Sequence, residues 1–279
     1  MPAALMLLLA ATAFAEPRVQ RDVAYAESAH DKQTLDVYAP PEGENHPIVV
    51  WIHGGGWQAG DKSEVAHKPA AFVERGYVFV SVNYRLLADA TIGEMAGDVA
   101  RAIRWTRDHA AEFGGDARRM FVAGHSAGAQ LAALVCTDER RLAAEGMSLA
   151  DILGCVPVDG DTYDVPLQIA TVEQRIADIY RRKFGDLASQ RDLSPVTHAA
   201  ADKHIPPFLV LYVAEHPETS LQTRRLVEAL TAAGVPAGGY AAADTDHVAL
   251  DADLGLPDDP PTAALFAFLA ERLEQETSR

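Results

Sequence analysis

The sequence predicts an α/β fold with a mostly parallel central sheet and helices on both of its faces. From Pro47 onward, short apolar runs rich in β-branched residues alternate with longer amphipathic stretches, and this alternation is typical of βαβ units. The chain has 279 residues, of which 48% are hydrophobic, enough to build a sizeable core. No repeat or long Pro-, Gly- or Ser-rich linker divides it, so we expect one domain over residues 16–279.

The buried strands of this sheet are predicted from the apolar runs, and two alternating segments before them suit an antiparallel hairpin at one edge. The strand predictions are 21–26, 33–38, 48–52, 77–82, 120–123, 152–158, 208–213 and 239–243. Helical stretches separate the later strands, at 64–75, 94–112, 127–136, 221–233 and 262–274. In the second helix Ala96, Val99 and Ile103 share one face while Arg101 and Arg104 lie off it, so that face should pack on the sheet.

One connection departs from this pattern. Residues 159–206 separate two predicted strands, whereas connections of this kind are usually short. We therefore expect a small lid-like insertion there. Its basic run at 181–183 has two interpretations, a solvated helix face or a contact to an acidic substrate.

Charge and hydropathy exclude some classes of binding partner, and the cysteine content bears on disulfide bonding. Lys and Arg number 24 against 40 Asp and Glu, a formal charge of −16, which repels nucleic acid and anionic lipid. No stretch after the N-terminus is long and apolar enough to span a bilayer, so stable membrane insertion is not expected. Cys136 and Cys155 are expected to be buried reduced thiols, with one bridge between them as the alternative.

The first fifteen residues are predicted to be a signal peptide. An apolar run ends in Ala13-Phe14-Ala15, the small-x-small form of a signal-peptidase site. Cleavage there would export the mature protein to the periplasm or medium. The run lacks a preceding Lys or Arg, which leaves a misassigned start or an uncleaved anchor open.

A serine nucleophile is predicted at the turn after the strand at 120–123. The pentapeptide Gly124-His-Ser126-Ala-Gly128 lies between this strand and a good helix-forming segment. This is the G-x-S-x-G nucleophile elbow in the context that it requires, in which glycines let the backbone pass close to its neighbours and the serine hydroxyl is exposed.

Donors for the oxyanion that such a nucleophile generates are predicted in the glycine loop, residues 53–57, with the sequence His-Gly-Gly-Gly-Trp. Its glycines leave backbone N–H groups accessible. The loop lacks the Lys and Ser/Thr of a phosphate-binding P-loop. The backbone N–H groups of Gly55, Gly56 and Ala127 are therefore the predicted oxyanion hole.

These motifs together resemble the α/β-hydrolase superfamily, in particular its esterase/lipase branch related to hormone-sensitive lipases, bacterial feruloyl-esterase-like proteins and kynurenine formamidase. The resemblance rests on the glycine loop, on Asn-Tyr-Arg-Leu at 83–86, on Gly-Gly-Asp at 114–116 and on the elbow at 124–128, and it covers roughly residues 34–270. It implies the α/β-hydrolase fold and a triad in the chain order nucleophile, acid, histidine. It implies no metal or organic cofactor.

With this order the base lies beyond residue 213, where His216 and His247 are the histidines. His247 follows the last predicted strand, the place that the resemblance assigns to the base, and it is the expected residue. His216 adjoins the expected acid and is poorly placed to face Ser126.

The acid is less clearly marked, because the loop after the strand at 208–213 contains no Asp. Alignment on its Pro-Glu and Gln with formamidase-like relatives favours Glu215. Glu218 in the same loop remains an alternative. Asp159 is another, because it follows the preceding strand, where some relatives place the acid.

The predicted function is that of a serine carboxylesterase which hydrolyses small carboxylic esters through an acyl-enzyme. One alternative is a formamidase or amidase with the same triad, which the Glu-His-Pro-Glu loop favours. Another is a catalytically inactive hydrolase fold that serves as a binding protein. The sequence does not indicate the oligomeric state.

Overall fold

The computed structural model describes residues 16–28 and 30–278, and these form one eight-stranded sheet with helices around it. The strands are β1 (Arg18–Ala24), β2 (Thr34–Ala39), β3 (His46–Ile52), β4 (Val78–Val82), β5 (Gly115–His125), β6 (Ile152–Val158), β7 (Phe208–Val213) and β8 (Ala237–Ala242). Their order across the sheet is β1-β2-β4-β3-β5-β6-β7-β8. β2 is antiparallel to β1 and to β4, and the other neighbouring pairs are parallel.

The helices follow the same chain order. They are α1 (Lys68–Glu74), α2 (Ile92–His109), α3 (Ala127–Thr137), α4 (Glu139–Ala143), α5 (Val165–Thr171), α6 (Gln174–Phe184), α7 (Leu187–Asp192), α8 (Pro195–His198), α9 (Pro217–Ala232), α10 (His247–Asp253) and α11 (Pro260–Thr277). The helix predicted at 94–112 begins two residues earlier, because Thr91 and Glu94 form a capping box that satisfies N–H groups of the first turn.

Helices cover both faces of the sheet, as predicted. In β3 the side chains alternate, so that Val50 belongs to the apolar cluster under α2, α3 and α9. Its neighbour Trp51 belongs to the cluster under α1, α10 and α11. The predicted face of α2 is confirmed, since Ala96, Val99 and Ile103 are fully buried in the first cluster.

Two segments differ from the expectations. The insertion, residues 159–206, contains the four helices α5 to α8. Three of them, α5, α7 and α8, have only four to seven residues and are too short to show helical periodicity. β5 is also longer than the predicted strand, because its first half carries the charged Asp116, Arg118 and Arg119, which an apolar criterion rejects.

The parallel strands from β3 to β8 all end at the same edge of the sheet, where ligand sites of open α/β sheets are typically found. The signal-peptide prediction falls on residues 1–15 and lies outside the described residues. Among the residues that are described, no helix is long and apolar enough to cross a membrane.

Candidate active site

Ser126 occupies the sharp turn between β5 and α3. Its backbone has φ +56° and ψ −118°, a region that non-glycine residues rarely enter. The flanking glycines allow this turn. A Cβ at Gly128 would lie 2.2 Å from the carbonyl oxygen of Ile52, and one at Gly124 would lie 2.6 Å from that of Gly128. Any larger residue would push the elbow away from β3.

His247 lies directly beside this serine. It is the first residue of α10, and its Nε2 is 3.0 Å from Ser126 Oγ, so the hydroxyl can donate to the imidazole. Asp246 caps α10 by accepting hydrogen bonds from the next backbone N–H groups, which fixes the start of the helix. His216 is instead the N-cap of α9, where it accepts from the Thr219 N–H.

The carboxylate on His247 is that of Asp159, and the expectation of Glu215 is corrected here. His247 Nδ1 lies 2.6 Å from Asp159 Oδ2. Glu215 is exposed in the turn between β7 and α9. Glu218, the other candidate of that loop, lies 3.3 Å from His216. Neither glutamate contacts His247 in the part of the chain that is described.

Backbone contacts at the strand ends explain this outcome. Asp159 directly follows β6 and is buried, whereas Glu215 lies in an exposed turn after β7. Asp159 has a positive φ of 50°, and its Oδ1 accepts from the Val213 N–H at 2.9 Å. The other oxygen is thereby directed at His247. An Asp-Gly pair at a strand end was the available signal, because both residues tolerate a positive φ.

The carboxylate of Asp159 and the imidazole of His247 shift each other's pKa. Burial raises the pKa of Asp159, but the hydrogen bonds from His247 and from Val213 outweigh it and hold the pKa below its usual value. The hydrogen bond to Asp159 raises the pKa of His247, although burial opposes it. The pair therefore favours an imidazole that readily accepts a proton.

Two further histidines, His53 and His125, lie close to this site, and their pKa values are lowered instead of raised. Burial lowers the pKa of His53 to about 4 and that of His125 to about 4. Both are neutral at pH 7. His247 is thus the histidine at this site whose protonation changes near neutral pH.

His125, the residue before the nucleophile, also holds the base in place. Its Nε2 donates to the backbone carbonyl of His247 at 2.9 Å. On the same helix Asp251 forms an ion pair with the buried Lys68 ammonium at 2.8 Å. These contacts attach α10 to the elbow and to α1.

The glycine loop passes the same site with an unusual backbone. Gly55, Gly56 and Trp57 have φ values of 108°, 59° and 62°. A Cβ at Gly55 would lie 2.1 Å from the Ala59 carbonyl oxygen. Within the described residues, the N–H groups of Gly55, Gly56 and Ala127 have no hydrogen-bond acceptor, which leaves them available to a ligand.

A cavity of about 350 Å³ joins these groups. Its lining includes Ser126, His247, the three loop glycines and the carboxylates of Glu64 and Asp251. A larger cavity of about 600 Å³ lies at the opposite edge of the sheet, near the starts of β5 to β8. It includes neither the serine nor the glycine loop, so the smaller cavity is the candidate active site.

Comparison with known proteins identifies the family of this chain. The family model described as BD-FAE matches residues 35–152. A probable carboxylic ester hydrolase of Mycobacterium tuberculosis, LipM, is 32% identical over 208 residues, which are 68% of this chain and 46% of LipM. The carboxylesterase NlhH of the same organism is 30% identical, over 71% of this chain and 65% of NlhH. The chain spans about half the length of LipM and of the esterase LipQ.

Solved structures share the fold. Esterase B from Lactobacillus rhamnosis has a TM-score of 0.80 at 22% identity and covers 94% of this chain and 88% of its own. A butyrate-bound esterase, Est2, from Thermogutta terrifontis has a TM-score of 0.71 at 22% identity, over 92% of this chain and 94% of its own. The chain thus belongs to the esterase/lipase branch of the α/β-hydrolase superfamily.

Proposed function

We propose that this protein is a serine carboxylesterase that hydrolyses small carboxylic esters through an acyl-enzyme. One observation carries the proposal: Ser126 Oγ lies 3.0 Å from His247 Nε2, whose Nδ1 lies 2.6 Å from Asp159. This is the relation of nucleophile, base and orienting acid that acyl transfer requires. Relatives that are named esterases and carboxylesterases support the same reaction class.

In the proposed first half-reaction the Ser126 oxygen attacks the ester carbonyl carbon while His247 Nε2 takes the hydroxyl proton. Asp159 keeps the other imidazole proton on Nδ1 and stabilises the imidazolium. The carbonyl oxygen becomes negative and is stabilised by the N–H groups of the oxyanion hole, Gly55, Gly56 and Ala127. The C–O bond to the alcohol then breaks, and His247 returns its proton to the leaving alkoxide.

The second half-reaction repeats these steps with water. His247 takes a proton from water as the hydroxide adds to the acyl carbon, and the second tetrahedral species expels Ser126 as its hydroxyl regains that proton. The products are the carboxylic acid and free enzyme. The cavity of about 350 Å³ lies at the low end of the range for ligand pockets, which favours small acyl and alcohol groups.

Esters are proposed rather than formamides. The formamidase alternative depended on the Glu-His-Pro-Glu loop, and its Glu215 is exposed, while His247 contacts Asp159 instead. The test compares p-nitrophenyl acetate, p-nitrophenyl butyrate, a feruloyl ester and N-formylkynurenine on purified protein. We expect the short p-nitrophenyl esters to have the highest kcat/KM, and a higher value for N-formylkynurenine would contradict the proposal.

A covalent probe separates an enzyme from an inactive binding protein. A fluorophosphonate should label the wild-type protein and should fail to label Ser126→Ala. Absence of labelling in the wild-type protein would favour the binding role.

We also propose that the protein is exported and begins at Glu16 after cleavage behind Ala15. The apolar run and its Ala-x-Ala end support this. N-terminal sequencing of the protein from its native host should read from Glu16, and an intact Met1 would refute export by this signal.

A further inference from the structure

The glycine loop has a backbone that needs support from outside. Three consecutive residues, Gly55 to Trp57, have positive φ values, and for Trp57 this conformation is strained. The expected oxyanion donors Gly55 and Gly56 belong to this stretch. A displacement of about 1 Å in such donors costs much of their effect on the transition state.

Part of that support comes from the turn that directly follows the loop, and part comes from neighbouring segments of the fold. The Gly55 carbonyl accepts from the N–H groups of Gln58 and Ala59. The Trp57 carbonyl accepts from Leu87 N–H. The Trp57 indole donates to buried Gln130 at 3.1 Å.

The Gly56 carbonyl is held by a cation from the insertion. Lys183, on α6, donates from Nζ to the Gly56 oxygen at 3.0 Å, although 127 positions separate the two residues. The same ammonium lies 5.3 Å from the centre of the Trp57 ring, a favourable cation–π distance. From the same helix, Tyr180 and Phe184 pack edge-on against Trp57, with ring centroids at 6.5 and 5.0 Å.

The Lys183 ammonium is partly shielded from solvent and is not a freely solvated surface charge. Lys183 is half-buried while Arg181 and Arg182 beside it are exposed. Within the described residues no carboxylate lies at ion-pair distance from its ammonium. Asp161, whose carboxylate accepts the Tyr180 hydroxyl, is the acidic group that acts on it from further away.

We propose that Lys183 is a positioning residue for ester hydrolysis. Its ammonium fixes the Gly56–Trp57 peptide, and thereby the backbone of the loop whose preceding Gly55 and Gly56 N–H groups point at the developing oxyanion. This inference rests on the proposed esterase function and deepens it. It also assigns a role to the insertion. The contact to Gly56 comes from α6 of the insertion and not from the sheet or the helices that pack directly on it.

The proposal predicts a defect in kcat rather than in KM, because the loop donors act on the charge that forms in the transition state. Lys183→Met should lower kcat for p-nitrophenyl butyrate about 10- to 100-fold and change KM less than about threefold. Lys183→Arg should recover most of the rate, since a guanidinium can donate to the same carbonyl. Arg182→Met removes the same charge from an exposed position of α6 and is the matched control, with kcat unchanged.

A pH profile distinguishes the ammonium from a merely structural side chain. Burial lowers the pKa of Lys183, although Asp161 opposes this shift, so the wild-type kcat should fall on the alkaline side below the ordinary lysine value of about 10.4. Burial raises the pKa of Tyr180, so this hydroxyl should not titrate there. Burial also raises the pKa of Asp161 above its usual value. The alkaline fall should move upward in Lys183→Arg and vanish in Lys183→Met.

Melting temperatures of all variants establish that they are folded. If Lys183→Met does not fold, Lys183→Gln replaces it, and the expected order of kcat is then wild type, Arg, Gln. The proposal is overturned if the uncharged variant keeps more than half of the wild-type kcat, if Arg182→Met loses as much kcat as that variant, or if the loss appears in KM instead of kcat.

If wild type hydrolyses no ester, the esterase proposal fails by itself. The rate of fluorophosphonate labelling of Ser126 across the same variants then decides the role of Lys183, and equal rates overturn it.

Discussion

The identity of the acid is tested most directly by Asp159→Asn. Asp159 Oδ1 accepts the Val213 N–H at 2.9 Å, and in the variant only the amide oxygen can keep that bond. The new NH₂ group must then occupy the place of Oδ2, 2.6 Å from His247 Nδ1. Because NH₂ is a donor, Nδ1 must become the acceptor and the imidazole proton moves to Nε2.

An imidazole with its proton on Nε2 cannot take the proton of Ser126. An Asp-to-Asn change with this consequence lowers kcat by about 10⁴ in a serine protease triad, which corresponds to about 5.4 kcal/mol of activation free energy. We expect a loss of this size in kcat/KM for Asp159→Asn. Folding should be little affected, since the variant keeps its size and the bond to Val213.

The assay is the hydrolysis of p-nitrophenyl butyrate, with Glu215→Gln as the matched control. That variant changes an exposed carboxylate after β7 in the same way and should stay within about twofold of wild type. Less than a tenfold loss in Asp159→Asn, or a comparable loss in Glu215→Gln, would refute the assignment of Asp159 to His247. Circular dichroism melting of both variants identifies any loss caused by unfolding.

Further outcomes follow from the same contacts. Ser126→Ala should lower kcat by several powers of ten with a melting temperature close to wild type, and retained turnover would exclude Ser126 as the nucleophile. The rate should fall as pH decreases through the pKa of His247, because the base must be neutral; since Asp159 raises this pKa above its usual value of 6.5, the midpoint of kcat/KM should lie above 6.5, and a midpoint near 4 would point to another histidine. Gly128→Ala should fail to fold or lose about 3 kcal/mol or more of unfolding free energy in urea titrations, because its Cβ would meet Ile52 at 2.2 Å. In contrast, Gly97→Ala meets nothing within 4 Å inside α2 and should stabilise the protein by about 0.5–1 kcal/mol; destabilisation by Gly97→Ala would contradict this account.

Local patterns were sufficient for the sheet and for part of the site. Apolar runs predicted the central strands β3 to β7, because strands buried on both faces need continuous apolar side chains, and alternating segments predicted the edge hairpin of β1 and β2. The elbow around Ser126 and the glycine loop could be predicted because each is a backbone conformation that requires glycine at fixed positions. The helices of the insertion escaped prediction. Three of them have only four to seven residues and carry too little periodicity, whereas α6, with eleven residues, has an amphipathic pattern from which it could have been predicted.

Of the two triad partners of Ser126, the sequence predicted the base but not the acid. His247 follows the last strand and could be chosen from chain order, whereas the choice between Glu215 and Asp159 depended on which carboxylate the folded backbone directs at His247. Sequence separation does not contain that information, since Glu215 is the nearer of the two to His247 along the chain. The choice is set by the Val213 N–H, which orients the Asp159 carboxylate, and by the exposed turn that carries Glu215.

By itself, the sequence determined which residues have reactive chemistry and which backbone turns must be glycine, because both are properties of single residues and their immediate neighbours. Only the tertiary structure decided which of these groups meet. Lys183 in the insertion reaches Gly56, and Asp159 reaches His247, across 127 and 88 positions of the chain. Such contacts depend on how strands and helices pack, since hydrogen bonds and ion pairs act over a few ångströms in space and not along the sequence.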